Sequence, residues 1–161
     1  SSAASDVYKR QYRGIALSSA QQWIVGTVAV NSYFTMTSGG YVQNNQNNIT
    51  INTSGLKFTL GVGVFRLTAF LAAVSTSVGW CKFLFTNSIG TPIGASNRGG
   101  FTQNVGTGNA ANWCTNQPAS CVVTVTSGTT DIYLYCPATG GTPAIGTGSD
   151  TNSYIDIQQI G

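Results

Sequence analysis

The stretch from Gly55 to Phe85 is the longest apolar run in the chain, and it constrains the fold more than any other feature. Apolar side chains recur at alternate positions through most of it, which is the two-residue period of a strand. Arg66 and Lys82 interrupt the run, so it lacks the roughly 18 continuous apolar residues of a membrane helix. The stretch therefore predicts three successive core strands. Their inward-facing members include Phe58, Phe65, Leu67 and Phe83.

Five other segments show shorter strand patterns. They are residues 12–19, 23–30, 121–126, 131–136 and 153–160. We expect residues 12–19 to form an edge strand. We also expect the turn at residues 127–130 to join the strands at 121–126 and 131–136 as a hairpin. The turn-rich residues 86–108 predict a long loop or a hairpin with an extended tip. A total of about eight or nine strands without an amphipathic helix predicts one all-β domain, an antiparallel two-sheet jelly-roll sandwich.

The composition argues against catalysis. Charged residues make up 7% of the chain, against roughly 25% in an ordinary soluble protein. His and Glu are absent, which removes the commonest general base and metal ligand. The net charge of +3 is too small for a nucleic-acid footprint. We therefore expect no enzyme, no cofactor, no nucleic-acid partner and no membrane insertion. Asp150 is a weak candidate for a calcium ligand, although a plain turn is the favoured interpretation.

The four cysteines permit disulfides without proving them. Cys114 and Cys121 flank a proline-containing loop, and we expect a disulfide to close it. Cys81 and Cys136 both fall on predicted inward faces, where they form either a bridge between the two sheets or free core thiols. No C-x-x-C pair and no His accompany them, so a zinc site is not expected.

The N-terminal residues Ser1–Gln11 differ in character from the rest of the chain. They resemble an in-frame translation of a transposase-type sequencing adapter, and we treat them as non-native, which leaves residues 12–161 as the domain. The native N-terminus is then expected to be missing. Asn48-Ile49-Thr50 and Asn52-Thr53-Ser54 fit the N-glycosylation pattern, which also arises by chance in a chain rich in Asn and Thr.

Three segments carry motifs of one known fold family. Gly55–Leu60 followed by Gly63–Ala69 forms a pair of glycine-initiated strands, and Val122–Tyr135 holds two strands around a turn that contains an Asp. Asn152–Ile160 forms a closing Ser-Tyr strand. Together they resemble the C1q/TNF-like jelly roll, in the form also found in bacteriophage fibre and virion proteins. Thr stands before the turn Asp where that family usually has Gly, and the resemblance covers about residues 41–160.

The resemblance implies a homotrimer packed through one sheet, with loops that bind partners and no enzymatic activity. The residues themselves add four interface candidates. Tyr133 and Tyr135 are predicted to point outward, and Phe70 and Trp80 share with Arg66 a second face that is too apolar for a monomer. The interface is thus expected to involve exposed aromatic side chains.

We therefore expect a non-enzymatic viral structural protein, located on a virion or otherwise outside the cell. The favoured interpretation is the trimeric head of a bacteriophage fibre or appendage, which binds a host receptor or a glycan through its loops. One alternative is a small single-jelly-roll capsid protein that assembles into a shell. A second alternative is a secreted C1q-like binding module of cellular origin.

Overall fold

The structure is a computed structural model that describes residues 11–15, 30–34, 41–43, 48–52, 57–71, 79–88, 90–104, 114–141 and 154–161. Within these ranges the chain forms fourteen strands and no helix. In chain order they are β1 (Gln11–Ile15), β2 (Ser32–Tyr33), β3 (Tyr41–Gln43), β4 (Ile49–Asn52), β5 (Lys57–Leu60), β6 (Gly63–Phe70), β7 (Gly79–Ser88), β8 (Thr91–Pro92), β9 (Ala95–Arg98), β10 (Gly100–Asn104), β11 (Cys114–Gln117), β12 (Ala119–Val125), β13 (Thr130–Gly141) and β14 (Tyr154–Gln159). None of the described residues belongs to a helix that could cross a membrane.

The strands form two antiparallel sheets. The first sheet has the order β3-β1-β14-β6-β12-β9, and the second has the order β11-β10-β7-β13-β5-β4, with β2 paired to β13 and β8 paired to β7. Strands that follow each other in sequence often lie in different sheets, as expected when a jelly roll wraps its chain around a core. The predicted antiparallel two-sheet architecture is confirmed.

The core lies between the sheets, and the Gly55–Phe85 run supplies much of it. Its three strands alternate between the layers, because β5 and β7 belong to the second sheet and β6 to the first. Phe58, Phe65, Leu67 and Phe83 are fully buried. Burying a side chain of this size contributes about 1.5–3 kcal/mol, so the central run stabilises both layers at once.

The closing strand was also predicted correctly. In β14 the inward residues Ile155 and Ile157 are fully buried, and the strand pairs with β6 on one side and β1 on the other. Two backbone hydrogen bonds extend the pairing past the strand end, where Val64 N donates to Gly161 O and Ile160 N donates to Val64 O, each at 2.7 Å. The C-terminus is therefore tied into the first sheet.

The predicted hairpin between residues 121–126 and 131–136 is wrong. β12 pairs with β6 and β9 in the first sheet, whereas β13 pairs with β5 and β7 in the second. Both segments are strands, and a turn at Gly128 (φ 64°) does reverse the chain between them. A turn sequence shows that the chain reverses but does not say which sheet the next strand joins.

Two further expectations need correction. β1 is not an edge strand, because it lies between β3 and β14. Of the two alternatives for residues 86–108, the long loop is wrong, because the described residues up to 104 contain β8, β9 and β10, and the chain crosses to the first sheet and back within them. Gly94 (φ 80°) makes this crossing possible, since a Cβ there would lie 2.4 Å from the carbonyl oxygen of Val122. The hairpin with an extended tip is the better description, because β10 pairs antiparallel with β7 and the strands between them form the tip. Residues 16–29, which include most of the predicted strand at 23–30, lie outside the described residues, as do residues 1–10.

Candidate functional site

The outer face of the second sheet carries a row of three side chains across three strands. Phe101 of β10 is paired with Lys82 of β7 on one side and with Gln117 of β11 on the other. Directly paired residues of an antiparallel sheet share a face and lie about 5 Å apart. Lys82 and Gln117 are exposed and Phe101 is half-buried, so an aromatic ring lies between a cation and an amide at the surface.

Two successive glycines lie beside this row, and the second of them faces the core while the first leaves space on the outer face. A Cβ on Gly100 would point into the core, 2.2 Å from the ring of Phe83 and 2.7 Å from Ala119 N. Gly99 points the other way, and a Cβ there would meet only Phe83 O at 3.5 Å. Because Gly99 has no side chain, bare backbone lies on the outer face at this point, whereas the missing side chain of Gly100 serves packing in the core.

The space is a pocket of about 420 Å³. This volume falls within the roughly 300–1,000 Å³ of ordinary small-ligand sites. Leu84 and Pro137 complete the lining next to Lys82, Phe101 and Gln117. Pro137 lies where the register of β13 against β7 shifts between Tyr135 and Ala138, so an irregularity in the sheet forms one wall. The pocket therefore combines an apolar centre with a polar rim.

Trp80 extends the aromatic surface next to the pocket. Its ring centroid lies 6.0 Å from that of Phe101, with an interplanar angle of 30°. The indole packs over Gly140, where a Cβ would lie 2.2 Å from Nε1. Trp80, predicted as an interface residue, is therefore half-buried against its own sheet and keeps part of its surface accessible.

A second aromatic cluster lies on β13 and β2. Tyr33 stacks on Tyr133 with centroids 4.6 Å apart and meets Tyr135 edge-on at 5.7 Å. Desolvation, followed by the electrostatic effect of Tyr133 and Tyr135, raises the pKa of Tyr33. Tyr133 and Tyr135 do lie opposite the core residues, as predicted. Tyr135 is nevertheless only 3% exposed, because β2 pairs beside it and its hydroxyl donates to Asn31 Oδ1 at 2.9 Å. It is therefore not available as an exposed interface residue.

Asp131 forms a small polar network beside Tyr133. The Thr59 hydroxyl donates to Asp131 Oδ1 at 2.6 Å, and Lys57 Nζ donates to Oδ2 at 3.0 Å. These hydrogen bonds lower the pKa of the Asp131 carboxyl, and Asp131 raises the pKa of Lys57. The two donors stabilise the ionised form of the Asp131 carboxyl, which makes it a poor proton acceptor.

Cys81 and Cys136 lie on neighbouring strands of one sheet, so they cannot form the bridge between sheets that was one of two alternatives. Both are free thiols and fully buried, as the other alternative expected. Their sulfurs are hydrogen-bonded to each other, and this contact together with burial raises the pKa of the Cys81 thiol. Cys136 also donates to Ala138 O at 3.5 Å. The pair belongs to the core.

The expected Cys114–Cys121 disulfide is not formed in the structure. Cys121 is a free thiol, buried on the inner face of β12 in the first sheet, whereas Cys114 begins β11 in the second sheet. Burial raises the pKa of Cys121 to about 12, so it remains protonated and unreactive. The proline between the two cysteines separates strands of opposite layers and does not mark the tip of a stapled loop.

The remaining predicted site residues are dispersed. Phe70 lies on the outer face of β6, in the opposite layer from Trp80, so these two residues and Arg66 do not share one face. Asp150 lies outside the described residues, and the described residues hold no cluster of metal-ligating side chains. Asn48 Nδ2, the atom that would carry a glycan, donates to Val62 O at 3.3 Å and to Gln159 Oε1 at 3.2 Å. The Asn52 side chain lies outside the described part of the structure.

The sequence matches no protein-family model and no curated protein. Among solved structures, the chain is similar to the Eiger TNF of S. frugiperda, with a TM-score of 0.54 and 8% identity over 94% of this chain and 92% of that one. It is also similar to a family 35 carbohydrate-binding module from Clostridium thermocellum, with a TM-score of 0.31 and 17% identity over 90% of this chain and 96% of that one. A further similarity is to the C-terminal CBM6 of LamC from Zobellia galactanivorans, with a TM-score of 0.29 and 15% identity over 93% of this chain and 100% of that one.

These similarities concern fold alone. The Eiger TNF structure supports the predicted TNF-like jelly roll, and the two weaker similarities carry no argument about this chain. The case for a binding site therefore rests on the geometry of the pocket beside Phe101 and not on these similarities. Phe101 and Gln117 were not recognised from the sequence, because they meet only through strand pairings between residues that are distant in the chain.

Proposed function

We propose that the protein is a non-enzymatic binding head that acts as a homotrimer on the surface of a virion, or otherwise outside the cell, and recognises a receptor or a glycan. The pocket beside Phe101 is the observation that carries the binding role. It is open to solvent, has an aromatic centre and a polar rim, and matches the size of known small-ligand sites. The favoured setting is the head of a bacteriophage fibre or appendage.

The described ionisable groups support binding rather than catalysis. Asp131 is held ionised by its two donors, and the thiols of Cys81 and Cys121 have raised pKa values in the core. The hydrogen bond with Cys81 lowers the pKa of Cys136, but this thiol is fully buried and out of reach of a substrate. A nucleophilic site needs an activated group within reach of a base, and none of these groups is activated where it could meet a substrate. The pocket lining itself includes no Asp and no Cys.

The proposed trimer is supported by the TNF-like fold and by the outer face of the first sheet. Val64, Phe70 and Val122 are half-buried on that face, and Ile160 is 46% exposed at its end. This mixture of apolar side chains with Arg66 and Thr124 is compatible with a subunit interface, since such interfaces are only partly apolar. The trimer would leave the pocket on the opposite layer facing outward.

Light scattering of the purified protein at micromolar concentration tests the oligomer. We expect about three times the mass of one chain, and a Phe70→Asp variant should lower the mass, because a charge would be buried at the interface. A Thr129→Asp variant, at an exposed position in the turn between β12 and β13 and away from the proposed interface, controls for added charge. A monomeric wild-type protein contradicts the trimer, and closed particles in electron micrographs would favour a capsid shell instead.

A further inference from the structure

We propose that the pocket on the second sheet binds a carboxylated pyranose, such as the uronic or sialic acid residue of a glycan. The ring of this sugar would lie on Phe101, with its carboxylate at Lys82 and its hydroxyls at Gln117. This assignment rests on the proposed binding function and specifies its ligand class and its site. It places recognition on a sheet face, whereas the sequence suggested loops.

The apolar part of the pocket fits one face of a sugar ring. A pyranose presents C–H groups on its faces and hydroxyls around its edge, so it can bury an apolar face against an aromatic ring while its edge stays polar. Phe101 supplies that ring, and Leu84 and Pro137 border it. The missing side chain at Gly99 leaves room next to the ring, since a Cβ there would meet only Phe83 O at 3.5 Å.

The charge of the pocket selects an anion. Lys82 lines it, is exposed, and has no carboxylate partner among the described residues, whereas Lys57 on the same sheet is already paired with Asp131. The lining includes no acidic residue. A ligand carboxylate would therefore form a charge-assisted hydrogen bond with an ammonium group that has no competing acceptor nearby.

The amide of Gln117 provides the remaining polar contact. An amide both donates and accepts hydrogen bonds, which matches a sugar hydroxyl that does the same. Lys82 and Gln117 lie on the two strands that flank Phe101, roughly 10 Å apart at their backbones, so their long side chains approach the edge of a ring from opposite sides. The row thus defines an orientation for the sugar, with its carboxylate toward β7.

Calorimetric titration with methyl glucuronide, methyl N-acetylneuraminide and neutral methyl glucoside tests the assignment. We expect at least one carboxylated sugar to bind with a dissociation constant of about 1 mM or tighter, and the neutral sugar to bind at least about tenfold more weakly. The carboxylated sugar that binds more tightly identifies the kind of glycan. Higher salt should weaken binding of the charged sugars only.

Three variants tie binding to the pocket. Lys82→Met should abolish the preference for the charged sugar, Phe101→Ala should weaken both kinds of sugar, and Gly99→Leu should block the pocket from the solvent side. Arg66→Met and Phe70→Ala, which change a cation and an aromatic ring on the opposite layer, are the matched controls and should bind as the wild type does. Circular dichroism checks that each variant is folded. Retained binding in folded Gly99→Leu would overturn the assignment.

Other results also overturn it. Equal affinity for the neutral and charged sugars, no binding of any of the three, or tighter binding of an acidic peptide such as tetra-aspartate would each exclude a carboxylated sugar as the ligand. Light scattering on the same samples distinguishes the two proposals. A trimer that binds no sugar removes only the ligand assignment, whereas a monomer that binds the charged sugar removes only the trimer.

Discussion

At the scale of single residues, two buried threonines show how much a hydroxyl contributes when it has a partner and when it lacks one. Thr86 and Thr102 are both fully buried. Thr102 Oγ1 donates to Asn116 Oδ1 at 2.6 Å, whereas Thr86 Oγ1 has no hydrogen-bond partner. A buried polar group without a partner destabilises the fold, while a satisfied one contributes to stability.

Valine substitutions at these positions should therefore have opposite effects. Thr86→Val keeps the shape of the side chain and removes the unsatisfied hydroxyl, so we expect the free energy of unfolding to rise by about 1 kcal/mol. Thr102→Val should lower it by about 1 kcal/mol, because Asn116 then loses its donor. Urea denaturation measures both changes. A loss of stability in Thr86→Val similar to that in Thr102→Val would contradict the structure.

Asp131 gives stability a dependence on pH. Its pKa lies below the ordinary value of 3.8 because Thr59 and Lys57 donate to it, so the stabilisation is complete above that value and is lost as the pH falls through the lower, folded-state pKa. Asp131→Asn should lower the melting temperature by only about 2 °C at pH 7, since the ion pair that it removes joins two partly exposed side chains and is screened by solvent. Near pH 2 the difference should shrink.

A Thr59→Val variant is the companion experiment. It keeps the carboxylate and Lys57 but removes the 2.6 Å hydrogen bond, which is the largest cause of the lowered pKa. An NMR titration of the Asp131 carboxyl should show its pKa moving up toward 3.8 in this variant. An unchanged pKa would mean that Lys57, without Thr59, is sufficient to lower the pKa of the Asp131 carboxyl.

At the scale of elements, β10 depends on Gly100, the glycine that begins it, and not on Gly99 before it. Gly100→Ala should lower the free energy of unfolding by about 1–3 kcal/mol, because the methyl group of the new alanine would clash with the Phe83 ring and with Ala119 N. Ala119 N is a backbone atom and cannot move aside. Gly99→Ala places the same group in open space and should be nearly neutral. Thermal unfolding of both variants measures the contrast, and equal losses would show that Gly100 does not face the core.

The individual strands could be predicted where alternation marks them, as in β5, β6, β7 and β14. β9 could not, because its residues are mostly exposed and polar, and hydrogen bonds hold it in place. Asn97 Nδ2 donates to Phe85 O at 2.9 Å and to Ile93 O at 2.7 Å, contacts that leave no periodic pattern in a sequence. The pairing of Lys82 with Phe101 likewise depends on register between strands.

The assignment of faces failed for a related reason. Phe70 and Trp80 were each placed correctly on the outward side of their own strand, but β6 and β7 belong to opposite layers. Their outer faces therefore point away from each other, and the single apolar face inferred from the sequence is divided between the two sides of the sandwich. Alternation within one strand fixes the inside and the outside but not the layer.

At the scale of the whole molecule, the buried thiols report on whether the sandwich opens as one unit. Cys81 and Cys136 face the core from the second sheet and Cys121 faces it from the first, and all three are at most 2% exposed. In a Cys114→Ser background, a thiol reagent should leave the three unmodified in the native protein, because the reagent cannot reach a thiol that is buried in the core. Two layers that share one core can expose these thiols only by separating.

Modification should therefore follow global unfolding. In increasing urea, we expect the three thiols to become reactive together, at the same midpoint as the loss of circular dichroism, because local opening of one strand would expose only its own cysteine. Mass spectrometry of partly modified samples distinguishes these cases, since cooperative opening gives mostly unmodified and triply modified chains. If Cys121 alone reacts at low urea, the first sheet separates at β12 before the core is lost, and the two layers are not a single cooperative unit.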